Sequence, residues 1–141
     1  MQQSYVFDVE LVGFGDVRRV VAVREDLTLV DLHYALQSAF GWDDDHLYAF
    51  WLEDRFWTNA SEHFTRPCVS DETDARAGRS AAIRLDRLGL EQGRRIAYVF
   101  DFGDEWRVRL QLREVIADDD HRSPRLLESV GTAPPQYSQV A

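Results

Sequence analysis

The chain has one cysteine, Cys68, and no lysine among its 141 residues. A lone thiol closes no intrachain disulfide and builds no thiolate zinc site, so the sequence points to a reducing compartment, read as the cytoplasm. No stretch approaches the ~18 consecutive apolar residues of a membrane-spanning helix, and the N-terminus lacks the basic and apolar regions of a secretion signal. A membrane association is therefore not expected. Positive charge is scarce: 16 basic residues, all Arg, stand against 25 acidic ones, a net charge of −9. That balance repels a phosphate backbone at long range and makes nucleic acid an unfavoured partner. There is no P-loop, no nucleophile elbow and no HExxH, and Gly13-Phe14-Gly15 lacks the third glycine of a dinucleotide fingerprint. Asp101-Phe102-Gly103 matches the magnesium motif of protein kinases, but the chain is too short for a kinase and has no lysine to hold phosphates. Nothing here implies a cofactor or a metal, and whether the chain is an enzyme stays open.

What is present suits one α+β domain, since 45% hydrophobic residues can bury a core without disulfides or metal. The organising stretch is 95–115. Within it Trp106, Val108, Leu110 and Leu112 alternate with Arg107, Arg109, Gln111 and Arg113, the period of a strand with one buried and one wet face. The run before it is apolar on both sides, Ile96, Tyr98, Phe100 and Phe102 on one and Ala97 and Val99 on the other, so it reads as a central strand. Phe102-Gly103-Asp104-Glu105 joins the two as a hairpin.

Ahead of it, residues 4–12 and 17–24 read as another hairpin around Gly13-Phe14-Gly15-Asp16. Thr28 is a suitable N-cap with Asp31 in the acidic position of a capping box, and the helix runs to Phe40 before Gly41. Leu29, Leu32, Leu36 and Phe40 form its apolar face. His33 beside that face reads as a boundary histidine bonded to backbone, in preference to a catalytic one. Residues 46–52 return to strand composition, Asp54-Arg55 is a turn, and 56–58 a short return strand. From 59 to 80 periodicity disappears, which reads as an exposed excursion. A strand end at Ile83 and a short second helix over 86–91 precede the central hairpin. Residues 124–129 read as a helical turn and Ala133-Pro134-Pro135 as a tail outside any ladder. The expected architecture is a single domain over 1–116, a mainly antiparallel sheet of hairpins packed by one principal helix and a short second one, with an acidic, proline-containing tail over 117–141.

Three blocks taken together, 27–52 (LTLVDLHYALQSAFGWDDDHLYAFWL), 98–112 (YVFDFGDEWRVRLQL) and the tail 124–137, resemble the bacterial family of Ri-plasmid ORF-three-like proteins. There a leucine-histidine helix runs into Gly-Trp-Asp-Asp-x-His-Leu and a Tyr-Asp-Phe-Gly-Asp-x-Trp hairpin follows. The resemblance spans roughly 5–115. Phe100 stands where the family commonly shows Tyr, Val108 where it shows His, and Val17 where it shows Trp. Ala133-Pro134-Pro135-Gln136-Tyr137 replaces Cys-Pro-Pro-Glu-Asp. The resemblance implies an α+β fold with an antiparallel sheet and a link to plasmids and mobile elements, and it assigns no reaction.

One arrangement has the composition of a site. If the loop after the helix meets the central hairpin, Asp43, Asp44 and His46 approach Asp101 and Asp104, a set suited to a divalent cation or acid–base hydrolysis. The plainer reading is that Asp43 and Asp104 serve turns, and that Asp101 is a buried carboxylate bonded to amides, Trp106 or an Arg. The leading expectation is a noncatalytic module binding a peptide or protein in an aromatic cleft of Trp42, Asp43, His46, Trp51, Phe100 and Trp106. A metal-assisted hydrolase using His46, Asp101 and Asp104 is the alternative. Accessory DNA binding through Arg107, Arg109 and Arg113 with Arg94 and Arg95 is third.

Overall fold

A computed structural model describes residues 2–44, 46–58, 63–67, 79–117 and 121–136. Cys68, the acidic run 118–120 and most of the 59–80 excursion lie outside the described residues. Among the described residues the chain builds one mixed sheet of eight strands and one α-helix, an α+β single domain. In chain order the strands are β1 (Ser4–Leu11), β2 (Arg18–Arg24), β3 (Tyr48–Trp51), β4 (His63–Thr65), β5 (Arg79–Ser80), β6 (Arg95–Phe100), β7 (Trp106–Ile116) and β8 (Arg125–Val130), with α1 (Leu29–Phe40) between β2 and β3. They lie side by side in the order β5-β4-β3-β6-β7-β1-β2-β8. All neighbours are antiparallel except β4 and β5.

The alternation of side chains across the strands gives the sheet two unlike faces. Phe7, Val9, Leu11, Phe50, Ile96, Tyr98, Phe100, Val108, Leu110 and Leu112 share one core with Leu29, Leu32, Leu36 and Phe40 of α1. The helix is fixed at both ends. At its start Thr28 and Asp31 complete the expected capping box, and the amides of Leu29 and Val30 donate to the carbonyls of Ile83 and Ala81. At its end Gly41 takes a left-handed φ of 72°, which glycine adopts without strain.

The last turn of α1 holds no basic residue, and its cation comes from β2. Arg19, 6% exposed, donates from Nε to the Ala39 carbonyl at 2.9 Å and from one terminal nitrogen to the carbonyls of Arg18 and Val130 at 2.7 Å. Its guanidinium lies over the Phe40 ring at 5.3 Å. A buried cation paired with no carboxylate among the described residues is tolerable here because the helix C-terminus carries partial negative charge and unsatisfied carbonyls. Burial still pulls its pKa below the usual arginine value. The arrangement ties α1, β2 and β8 at one point.

Several expectations are corrected. Residues 52–58 form no return strand; they cross the second face of the sheet as a strap, with Phe56 packed on Ala49, Trp51, Ala97 and Val99. The excursion contributes β4 and β5, and the second helix shrinks to one 3-10 turn, Leu85–Arg87, consistent with glycines at 89 and 93. The stretch read as a helical turn is strand β8, paired with β2. Its sequence RLLESV has no strong local preference, so the free edge of β2 decides its state. The segment beyond residue 116 thus supplies an edge strand as well as a tail.

Replacing Arg19 by Leu removes the donor to three carbonyls, that of Ala39 buried, so we expect a loss of about 2–4 kcal/mol in urea unfolding. The exposed neighbour change Arg18→Leu should cost no more than about 0.5 kcal/mol.

Candidate functional site

The loop after α1 does meet the central hairpin. Asp101, buried, ends β6 with a left-handed φ of 62°, and Glu105 at the other end of the turn has φ 52°. Aspartate tolerates this backbone when its side chain bonds ahead, and one Asp101 oxygen accepts from the amides of Gly103 and Asp104 at 3.1 and 3.3 Å. The other lies 3.5 Å from Nε2 of His46. Phe100 and Trp106 face each other across β6 and β7. Trp42 stacks on Phe100 at 5.4 Å and lies 5.6 Å from Trp106, and His46 stands edge-on to Phe100 at 5.9 Å.

The structure therefore brings together Trp42, His46, Phe100, Asp101 and Trp106, but as a packed wall. Trp42 is 5% exposed and Phe100 fully buried, so no cleft opens between them. The indole N–H groups of Trp42 and Trp106 are buried without a hydrogen-bond partner among the described residues. Asp104 and Asp43 are exposed. Trp51 stands apart, on the opposite face of the sheet, where it stacks on His63 and donates to the Thr58 carbonyl at 3.1 Å. Among the described residues no three His, Cys, Asp or Glu side chains group as a metal site.

Behind this wall lies a buried polar chain that composition did not reveal. His33, fully buried, stacks on Tyr48 at 3.6 Å with the rings 11° apart. Its Nδ1 is 2.7 Å from the Tyr98 hydroxyl and its Nε2 is 2.7 Å from Asp44. Gln37 donates to the Tyr98 oxygen at 3.0 Å. One neutral tautomer satisfies both ring nitrogens: Tyr98 donates to Nδ1, and Nε2–H donates to the Asp44 carboxylate. Burial pushes the His33 pKa down, and the hydrogen bond and charge of Asp44 only partly restore it. Burial also holds the Tyr98 hydroxyl well above its ordinary pKa. A hydroxyl, an imidazole and a carboxylate in line have the form of a nucleophile with its base. With Tyr98 fully buried, no substrate reaches the hydroxyl, and the chain serves to lock α1, β6 and the Trp42 loop together.

The second face of the sheet differs. The strap 52–58 covers its β3–β6 half, while β7, β1, β2 and β8 floor an open hollow of about 690 Å³. Pairing registers set two rows across that floor. One runs Ala97, Arg109, Glu10, Arg18, Val130; the other runs Arg95, Gln111, Asp8, Val20, Glu128. Arg109 bonds Asp54 of the strap and lies 3.9 Å from Glu10, Arg95 bonds Asp54 at 3.1 Å, and Arg113 lies 3.6 Å from Asp8. Burial alone would raise the Asp54 carboxyl, but hydrogen bonds and charge from Arg109 and Arg95 hold it below its ordinary value. The arginine row proposed for DNA is thus largely neutralised by its own carboxylates, with Arg107 laid over Phe56 at 5.3 Å and Arg94 donating to the Leu52 carbonyl. No helix among the described residues is long and apolar enough to cross a membrane.

Comparison with known proteins adds the family. The model of the plasmid pRiA4b ORF-3-like protein family matches residues 3–138. The chain belongs to that family. An uncharacterized protein of Sinorhizobium fredii, y4hQ, is 30% identical to this ORF-3-like chain over 123 residues, 85% of the chain. The chain spans 58% of that relative's length. The crystal structure of MM3350 from Methanosarcina mazei Go1, a protein of unknown function, superposes with a TM-score of 0.75 at 21% identity, over 96% of this chain and 74% of that one. At that identity the likeness establishes the fold.

In this ORF-3-like domain the motif blocks that suggested the family are the parts in contact at the wall. The tail joins them. Gln136 accepts from the Asp43 amide at 2.6 Å and donates to the Asp43 carbonyl at 3.1 Å, a clasp that needs an amide. A glutamate there, as in the family pattern the sequence resembles, could only accept. Sequence reading missed this clasp, the His33 chain and the hollow. His33 at helical spacing from Gln37 was the one local signal, while the hollow depends on strands distant in sequence.

Because His33 is neutral in the fold and its pKa is depressed, its contribution is complete above the ordinary value of 6.5 and lost as pH falls toward the lower folded pKa. Unfolding free energy should therefore decline below about pH 6.5 with a component that His33→Leu removes; an unchanged slope in that variant would contradict the assignment. Tyr98→Phe, which leaves Gln37 and His33 short of a partner, should cost about 1–3 kcal/mol by urea unfolding at neutral pH.

Proposed function

We propose that the domain is a noncatalytic module that binds an extended peptide or protein segment along the open face of the sheet. The observation that carries this is the hollow on β7, β1, β2 and β8, where arginines of β7 and β2 flank the carboxylates of β1. Such a surface offers a polypeptide paired charges of both signs and little to a phosphate backbone. The basic side chains of β7 and the acidic side chains of β1 stand one strand apart, about 5 Å, so a segment laid along them meets both signs of charge. Three of its strands, β7, β1 and β2, are paired on both sides, which sets their positions before a segment arrives.

The wall around Trp42, His46 and Asp101 supports the hydrolase reading less well. His46 and Asp101 are paired, but the other Asp101 oxygen is committed to the turn amides, and the aromatic groups beside them are packed. Accordingly the wall is read as the support that sets the sheet, and the opposite face as the working surface.

Selection of displayed random peptides on the purified domain tests the proposal. Enriched sequences should carry both charges and lose at least about tenfold in affinity when Gln111, exposed in the hollow, is changed to Trp, while His46→Ala leaves binding unaltered. Failure to enrich any sequence, or binders indifferent to Gln111→Trp, would refute it.

A further inference from the structure

The sheet ends at β8, and among the described residues nothing pairs with the outer edge of that strand. Six residues of free ladder invite another strand, and protein edges are usually blunted by charge, proline or a bulge. β8 has a bulge, yet Leu126, Leu127 and Val130 remain 50%, 47% and 50% exposed. No other strand shows so much apolar side chain.

We propose that this edge is a dimer interface, with β8 of a second copy of the chain added antiparallel across a two-fold axis. The argument for a second copy is self-complementarity. The bulge between Val20 and Val21 sets Arg125 opposite Ala22 and Glu128 opposite Val20, and those two partners lie in one cluster on the open face. Arg125 and Glu128 therefore project to the same side although three residues apart. Two β8 strands run antiparallel in the register that sets Leu126 of one copy against Leu127 of the other also set Arg125 against Glu128, twice. Glu128 is exposed and has no ion pair among the described residues. Arg125 carries five N–H donors, so this pairing adds to the contacts it makes in its own chain. Opposite charges facing across neighbouring strands are favourable and like charges unfavourable. Joined this way, the two sheets become one, and the hollows of both copies, each bounded by Glu128 and Val130, lie side by side.

Sedimentation velocity and light scattering on the purified chain, from micromolar to millimolar concentration, test this independently of any peptide binding. The unaltered chain should show twice the monomer mass. Arg125→Glu and Glu128→Arg should each weaken the dimer at least about tenfold, and the double variant, which restores opposite charges across the axis, should recover most of that loss. Leu127→Lys should give monomer with an unchanged circular dichroism spectrum, which keeps the test valid if a charge variant folds poorly. A monomeric unaltered chain, a dimer indifferent to these changes, or a double variant no better than the singles would overturn the proposal.

Discussion

A single helix of 12 residues has to cover a sheet of eight strands, and it is too short to do so. At 1.5 Å per residue it is about 18 Å long, while eight strands about 4.8 Å apart span about 34 Å. One face of the sheet therefore receives the helix, and among the described residues the second receives the strap 52–58. The polar alternation of β7 follows from this: Arg107, Arg109, Gln111 and Arg113 lie on the side away from α1. So does the charge pairing, because carboxylates at 8, 10 and 54 stabilise a floor of arginines that would otherwise repel one another.

Where the helix does sit, it is held by groups from distant parts of the chain. Carbonyls at 81 and 83 take its first amides, the Arg19 guanidinium takes the Ala39 carbonyl of its last turn and that of Val130, and the His33–Tyr98–Asp44 chain binds its middle to the central strand and to the loop that follows. Each is a buried or half-buried directional contact, so together they specify the docking of α1 more sharply than apolar burial does. The left-handed residues Asp101 and Glu105 belong to the same device. They turn the chain tightly enough to set Trp106 beside Trp42.

The elements with a strong local signal were legible in the sequence. The capping box at Thr28 and Asp31, the stop at Gly41, the alternation of 106–113 and the doubly apolar 96–100 each follow from residues within a few positions. β8 was not, because RLLESV acquires strand state only from the free edge of β2. The strap was not, since Phe56 and Trp57 have strand composition but lie over the sheet instead of in it. Of the candidate site, the contact between the 42–46 loop and the 101–106 turn was legible from the paired motifs, whereas the burial of Trp42 and Phe100 was not. Aromatic residues read alike from sequence whether they line a cleft or fill a core. Trp51 shows the limit plainly, since one step of strand register places it on the other side of the sheet.

The central claim is that the uncovered sheet face is the surface this domain presents to a partner and that the aromatic wall is its support. Amide hydrogen exchange, compared with and without a peptide selected on the domain, addresses both halves at once. The account predicts added protection concentrated in β7, β1 and β2, with the 42–46 and 101–106 segments unchanged. Protection confined to those two segments, with the sheet floor unaffected, would contradict it.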